Sequence, residues 1–170
     1  MDALEIDYLA DRPEFLRDLA AWLHGEWRHL YPGATMETRT RNLRIQMRRD
    51  AIPFTIVAHE NGKPVGTAAL IDCDLETRPH LKPWLASVFV PPEHRRRGIA
   101  ARLVTRVTDI VRTLEYDECF LWTDKEAAYY ANMGRERQFE ENHRGGRIVV
   151  MRYPIDAEPT QPARERRRSS

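Results

Sequence analysis

Val88-Phe89-Val90-Pro91-Pro92-Glu93-His94-Arg95-Arg96-Arg97-Gly98-Ile99-Ala100-Ala101-Arg102-Leu103 is the stretch from which the rest of the chain can be read. A short apolar run stops at two prolines, which lack backbone donors and end strand pairing. A basic turn follows, and directly after Gly98 a helical pattern begins. Ile99, Leu103, Val107, Ile110 and Leu114 recur at spacings of 4, 4, 3 and 4, the period of one helix face. The stretch is therefore a strand, a turn and a helix.

The turn has the composition of an anion site. A helix start leaves its first N–H groups unpaired and carries partial positive charge, and phosphate oxygens satisfy both conditions. Gly98 has no side chain, and Ala100 and Ala101 are small, so the amides of residues 96–101 are approachable. Arg95, Arg96 and Arg97 add charge. The same residues also suit a basic turn that does no more than cap its helix. There is no GxxxxGK[ST] and no GxGxxG, which excludes the nucleotide-triphosphate and dinucleotide loops.

Working outward, residues 4–9 alternate apolar and polar as a half-buried strand does. Pro13 opens a helix whose stripe is Leu16, Leu19, Ala20, Leu23, Trp27 and Leu30, ended by Pro32-Gly33. Thr35 caps a second helix running to about Arg49, with a thin apolar stripe (Met36, Leu43, Met47) and five arginines. Residues 54–58 and 65–72 are strands joined by an Asn61-Gly62 hairpin turn. Residues 75–83 form a loop, residues 84–90 the next strand and residues 118–123 another. Residues 125–133 form a short helix stopped by Gly134. Two last strands, 136–142 and 147–153, meet through Arg144-Gly145-Gly146. The order is β-α-α-β-β-β-α-β-α-β-β, an α/β (α+β) domain over residues 1–154, with helices packed on a mixed sheet. Residues 155–170 read as a polar, arginine-rich tail that cannot bury a core.

Bulk composition narrows the function. The chain has 170 residues, 27 Lys+Arg against 26 Asp+Glu, and 42% hydrophobic residues, so its net charge points to neither nucleic acid nor membrane. No apolar run reaches membrane-spanning length, and the acidic start (Asp2, Glu5, Asp7) is unlike a signal peptide, so a cytoplasmic protein is expected. Cys73 and Cys119 form no CxxC pair or Cys/His cluster, and two reduced, buried thiols without a metal are expected.

With the element order set beside it, Arg95-Arg96-Arg97-Gly98-Ile99-Ala100 matches [QR]-x-x-G-x-[GA], the acetyl-CoA signature of the GNAT superfamily of N-acetyltransferases, which residues 3–153 resemble throughout. About 30 residues later, Tyr129-Tyr130-Ala131-Asn132-Met133-Gly134 fits the family's aromatic-Tyr-x-x-x-Gly pattern. The resemblance implies a mostly antiparallel sheet of about seven strands flanked by about four helices. It implies that strands 84–90 and 118–123 splay apart to admit pantetheine, which bonds the backbone of Val88, Phe89 and Val90. The pyrophosphate would lie on Arg95, Arg96, Arg97, Gly98, Ile99, Ala100 and Ala101. Acetyl-CoA is then the co-substrate, an amine attacks the thioester directly, and Tyr130 is the general acid for the departing thiolate. The partners are acetyl-CoA and an amine acceptor; a homodimer is left open.

Departures from the family pattern matter. Ala86 stands where many relatives carry a glutamate base, which leaves Asp72, Asp74, His80 and Glu26 as substitutes acting through water. Thr123 replaces an asparagine, and Arg135 replaces an aromatic residue. Two other readings remain: an acyl-CoA-binding module with little turnover, and nucleic-acid association through the arginine clusters.

Overall fold

A computed structural model describes residues 3–155. Seven strands form one sheet in the order β1-β2-β3-β4-β5-β7-β6: β1 Glu5–Tyr8, β2 Phe54–Glu60, β3 Lys63–Ile71, β4 Trp84–Phe89, β5 Glu118–Thr123, β6 Glu136–His143 and β7 Gly146–Pro154. Every neighbouring pair is antiparallel except β4 and β5. Four helices accompany the sheet: α1 Leu16–Trp27, α2 Met36–Ile45, α3 Ile99–Thr113 and α4 Ala127–Asn132. This is the seven-strand, four-helix architecture expected.

Helix α3 covers one face. Ile99, Leu103, Val104, Val107, Ile110 and Val111 are all buried against Phe54, Ile56, Ala68, Leu70, Leu85, Leu121 and Met151. Each such side chain contributes about 1.5–3 kcal/mol relative to exposure. Gly66 on β3 permits the close approach. A Cβ there would lie 2.9 Å from Ile99 Cγ2 and 3.0 Å from Leu103 Cδ1. The opposite face carries α1 and α2, with Leu19, Ala20, Leu23 and Leu43 packed on Leu9, Phe15 and Val57. Further along that face Leu75, Trp84, Phe120, Ile148 and Val150 make a third cluster.

Local signals explain most boundaries. Thr35 caps α2 through a capping box with Thr38. Asn61 and Gly62 have φ of 52° and 69°, the left-handed pair of a tight hairpin turn. Gly134, at φ 82°, follows the end of α4.

Three expectations need correction. Helix α2 ends at Ile45 and not near Arg49. The Gln46 carbonyl accepts from Thr55 N (3.0 Å) and its amide oxygen from Thr55 Oγ1 (2.7 Å), which draws the chain into β2. Arg49 instead pairs with Asp11. Cys73 is exposed, in the loop after β3, whereas Cys119 is buried as expected. Ile155, assigned to the tail, is buried, and its amide donates to Asp117 O at 2.8 Å. The rest of the tail, residues 156–170, lies outside the described residues. No helix among the described residues is long and apolar enough to cross a membrane.

Candidate active site

Strands β4 and β5 touch at one register pair, Trp84 opposite Phe120, with Phe120 N donating to Pro83 O at 2.9 Å. Both strands run the same way from that point without further pairing, so a gap opens between residues 85–89 and 121–123. Backbone groups along that gap have no ladder partner across it, and these are the groups an extended ligand can engage.

Strand β4 also carries a β-bulge. Ala69 faces Ala86 while Thr67 faces Phe89, so three steps on β4 match two on β3, and Ser87 takes a φ of 55°. The extra residue re-aims the side chains beyond it. Val88 packs on the α3 face. Phe89 turns to the other face, where its ring lies 5.8 Å from Trp22 and 6.2 Å from Trp27. Val90 returns to the α3 face, and its carbonyl accepts from Arg95 Nε at 2.9 Å.

The turn that follows is left-handed twice, at Arg96 (φ 61°) and Gly98 (φ 73°). Gly98 is the N-cap of α3 and no side chain caps the helix. The amides of residues 96–101 donate to no acceptor among the described residues; the first carbonyl bonded in this helix is that of Gly98, by Arg102 N at 3.1 Å. Six consecutive donors thus lack a protein partner, around a residue whose Cβ would meet nothing within 4 Å. Such a ring of amides suits an anion. Ile99 is buried and anchors the helix, while Ala100 and Ala101 are half-buried beside it.

The arginines of the turn differ from one another. Arg95 is held by Val90 and lies 6.0 Å from the Phe89 ring. Arg97 bonds Glu60 Oε1 at 2.6 Å and approaches His94 Nδ1 at 3.3 Å. Its charge is therefore partly matched by Glu60 within the protein. Only Arg96 of the three makes no side-chain bond among the described residues.

Tyr130 lies on the same face as Val88 and Ala100, all three packed against the α3 cluster. The bulged strand, the helix start and the tyrosine, far apart in sequence, thus all border one core cluster. The Tyr129 ring meets Tyr130 edge-on at 5.3 Å. Burial, with Tyr129 next, pushes the Tyr130 phenol up to about 12, while the Arg135 guanidinium opposes the rise. The phenol keeps its proton at neutral pH and has it available to donate. Thr123, where an asparagine was expected, accepts from Glu126 N at 2.9 Å and so holds the entry to α4. Arg135 is 6% exposed, bonds Thr108 Oγ1 at 2.8 Å and lies 4.1 Å from the Tyr153 ring, a structural strut behind the tyrosine.

Ala86 is buried and carries no base. Of the four substitutes named from sequence, Asp72, His80 and Glu26 are exposed. Asp74 is half-buried, and its carboxyl is pushed up to about 7, chiefly by burial, against the pull of Trp122 and Arg144. Elsewhere, Glu5, Asp7 and His59 bring ligand atoms within 4.8 Å of one another. Arg12 already engages both carboxylates, through Nε to Asp7 (2.8 Å) and Nη2 to Glu5 (3.7 Å). The Arg12 bond, then that of His59, holds the Asp7 carboxyl below its ordinary value, as an ion-pair network does.

The sequence profile described as the acetyltransferase (GNAT) family matches residues 16–134. The chain belongs to the GNAT family. Its fold is similar to that of an aminoglycoside 6'-acetyltransferase type Ii, at 17% identity, with 91% of this chain and 99% of that chain covered and a TM-score of 0.71. An aminoglycoside 6'-N-acetyltransferase complexed with coenzyme A matches at 15% identity, over 91% and 99%, with a TM-score of 0.72. The yncA protein from Salmonella typhimurium, solved with its cofactor acetyl-CoA, matches at 17% identity, over 92% and 98%, with a TM-score of 0.66. At such identities the likeness is one of fold. No curated protein matches the chain. This GNAT protein is an acyltransferase by family, and its relatives in structure bind coenzyme A or acetyl-CoA.

Two features of the site escaped sequence reasoning. The bulge at Ser87 has no compositional signal, because a left-handed serine looks like any other. The pairing of Arg97 with Glu60 joins residues 37 apart in the chain.

Proposed function

We propose that this protein is an N-acetyltransferase that moves the acetyl group of acetyl-CoA directly to a primary amine. The observation that carries the reading is the run of six unpartnered amides at residues 96–101, set beside the gap between β4 and β5. The pyrophosphate lies on those amides, on Arg96 and beside Arg95 and Arg97, at Gly98, Ile99, Ala100 and Ala101. The pantetheine arm runs along the free backbone of Val88, Phe89 and Val90.

The chemistry then assigns work to residues already described. An alkyl amine resembles lysine, with a pKa of about 10, and must lose a proton before it attacks. A backbone N–H in the bulged stretch near Val88 faces the position where the carbonyl oxygen gains charge. Tyr130, protonated at neutral pH, donates to the sulfur as the C–S bond breaks. No covalent enzyme intermediate is needed.

Isothermal titration with acetyl-CoA, followed by assay of free thiol release with a panel of primary amines, tests this. Binding accompanied by amine-dependent thiol release is expected. Tight binding with no release from any amine would favour an acyl-CoA-binding module, a reading to which the missing base at Ala86 lends weight. The names of two similar structures make aminoglycosides one obvious class to include.

A further inference from the structure

On the sheet face opposite α3, four segments converge on one side of the β4–β5 gap. Tyr31 follows α1, Arg39 lies on α2, Asp74 lies in the loop after β3, and His143 and Arg144 form the β6–β7 corner. Trp122 of β5, on the rim of the gap, ties the group together. Its indole N–H donates to Asp74 O at 3.3 Å and also faces the Asp74 carboxyl, and its ring lies 5.1 Å from that of His143. The Arg144 guanidinium lies 4.3 Å from the centre of the Tyr31 ring and that of Arg39 lies 5.9 Å from it.

The group is incompletely satisfied. Arg39 Nε and His143 Nε2 are buried without a hydrogen-bond partner. Arg39 has no acidic partner among the described residues. Arg144 reaches Glu76 at 4.0 Å, a side chain 91% exposed, and donates through Nη1 to Leu30 O at 3.5 Å. Two guanidiniums therefore stand in a cluster with a single half-buried carboxyl, Asp74, whose charge acts on Arg144 and not on Arg39. Buried polar atoms without partners are costly to hold unless something else completes them. A ligand with both signs of charge would do so.

We propose that this cluster receives an acceptor that is a primary amine bearing its own anionic group, with the ammonium on Asp74 and the anion between Arg39 and Arg144, and that Asp74 takes the proton released before attack. The inference rests on the acetyl-transfer reading above. A guanidinium fork fits carboxylate and phosphate oxygens alike, so either anion serves. Asp74 removes one proton from the ammonium, and the freed electron pair forms the C–N bond as the C–S bond breaks. The second proton lost from nitrogen ends on the sulfur by way of Tyr130, one N–H remains on the amide, and Asp74 returns its proton to solvent. The groups facing the Asp74 carboxyl are Trp122, Arg144 and, more distantly, Tyr31, with His143 and Glu76 beside them. Its elevation to about 7 places the ionisation of this base within the working range.

The test uses matched amines with the intact protein and acetyl-CoA. Amino acids are compared with their amides and methyl esters, phosphoethanolamine with ethanolamine, and a polyamine is included. At least a tenfold preference in kcat/KM for an anionic member over its uncharged partner is expected, and the preferred anion tells carboxylate from phosphate. Arg39→Met and Arg144→Met should each cut the kcat/KM preference for that substrate over its uncharged partner at least tenfold, chiefly through KM, and Arg39→Lys should restore part of the preference. Asp74→Asn should lower kcat about 10²–10⁴-fold, as loss of a general base does, and abolish the fall in rate below about pH 7. Equal or better use of uncharged or polycationic amines overturns the proposal, as does an unchanged acid limb in Asp74→Asn. Should acetyl-CoA bind while no amine releases thiol, the transfer reading itself fails and this inference falls with it.

Discussion

Trp84 stands opposite Phe120 at the single register point that joins β4 to β5, and beyond it the two strands part. Their rings lie 5.7 Å apart, on the face opposite α3, and Phe120 is 4% exposed. The pair works as a clasp at the closed end of a wedge. A sheet interrupted in its centre loses ladder bonds, so the packing at its closed end must hold the two halves in register. Arg152 adds to this from β7, pairing with Glu118 at the start of β5. The wedge is thus a built feature of the fold.

Truncation of the clasp should weaken both stability and the cleft. Phe120→Ala removes a buried aromatic side chain and is expected to cost about 3–5 kcal/mol. Urea unfolding followed by fluorescence gives the value. Acetyl-CoA affinity measured at a temperature where the variant is still folded should also fall, because the gap is no longer fixed in width. Retention of full affinity would show that the clasp holds the fold but not the site.

Gly98 offers a cleaner test of the turn. Its φ of 73° is left-handed, and space around it is open, so a substitution is strained by the backbone and not by crowding. A left-handed residue with a Cβ costs roughly 1–2 kcal/mol. Gly98→Val should therefore lower stability by about that amount and weaken acetyl-CoA binding further, since its side chain stands among the six free amides. Titration calorimetry beside thermal unfolding separates the two losses.

Tyr130→Phe removes one hydroxyl that no side-chain hydrogen bond retains among the described residues. The ring, which packs against the α3 cluster, is preserved. Stability and acetyl-CoA affinity should stay close to those of the parent, while kcat falls about 10²–10⁴-fold if proton donation to sulfur limits the rate. Single-turnover measurement establishes whether chemistry limits. An unchanged chemical step would remove the tyrosine from the mechanism.

Gly66 is a packing position that its sequence context does not advertise. Gly66→Val would drive side-chain atoms into Ile99, Leu103 and Val90 at the start of α3. Overpacking of this kind costs about 1–3 kcal/mol, and thermal unfolding should register it. Because Ile99 anchors the turn, the affinity for acetyl-CoA should decline in step.

The legible parts of this protein were those written locally. Strand β5 is a continuous apolar run and its limits, Glu118–Thr123, matched the structure. Thr35, Asn61-Gly62 and Gly134 each marked a boundary through the geometry of one turn. The helix start at Gly98 was readable because the glycine, the small residues and the period of α3 all fall within one stretch. What stayed hidden depends on contacts between distant segments. Arg97 looked like a free charge until Glu60 was brought beside it. Asp74 could not be told from Asp72 until Trp122 and the β6–β7 corner enclosed one and left the other in water. The early end of α2 was set by Thr55, nine residues beyond Gln46.

The last prediction concerns that same aspartate and stability. Its carboxyl has an ordinary value of 3.8 and is pushed up to about 7 in the fold, mainly by burial. The native state therefore holds a proton that the unfolded chain releases between those limits. Asp74 contributes most to stability below about pH 4, and that contribution is lost as pH rises through 7, where the fold must carry a desolvated carboxylate. Asparagine has nearly the same shape and never ionises. Asp74→Asn should be the more stable protein at pH 8, by on the order of 1 kcal/mol once the residue's partial contact with solvent is allowed for. For a chain of this size that is about 2–4 °C in Tm. The gap should close as pH falls toward 4. Paired melting curves from pH 4 to 8 provide the measurement. A variant that is more stable and yet inactive would locate the cost of the buried charge and its use in the same side chain, whereas a Tm difference that does not vary with pH would mean that Asp74 never carries that elevated proton.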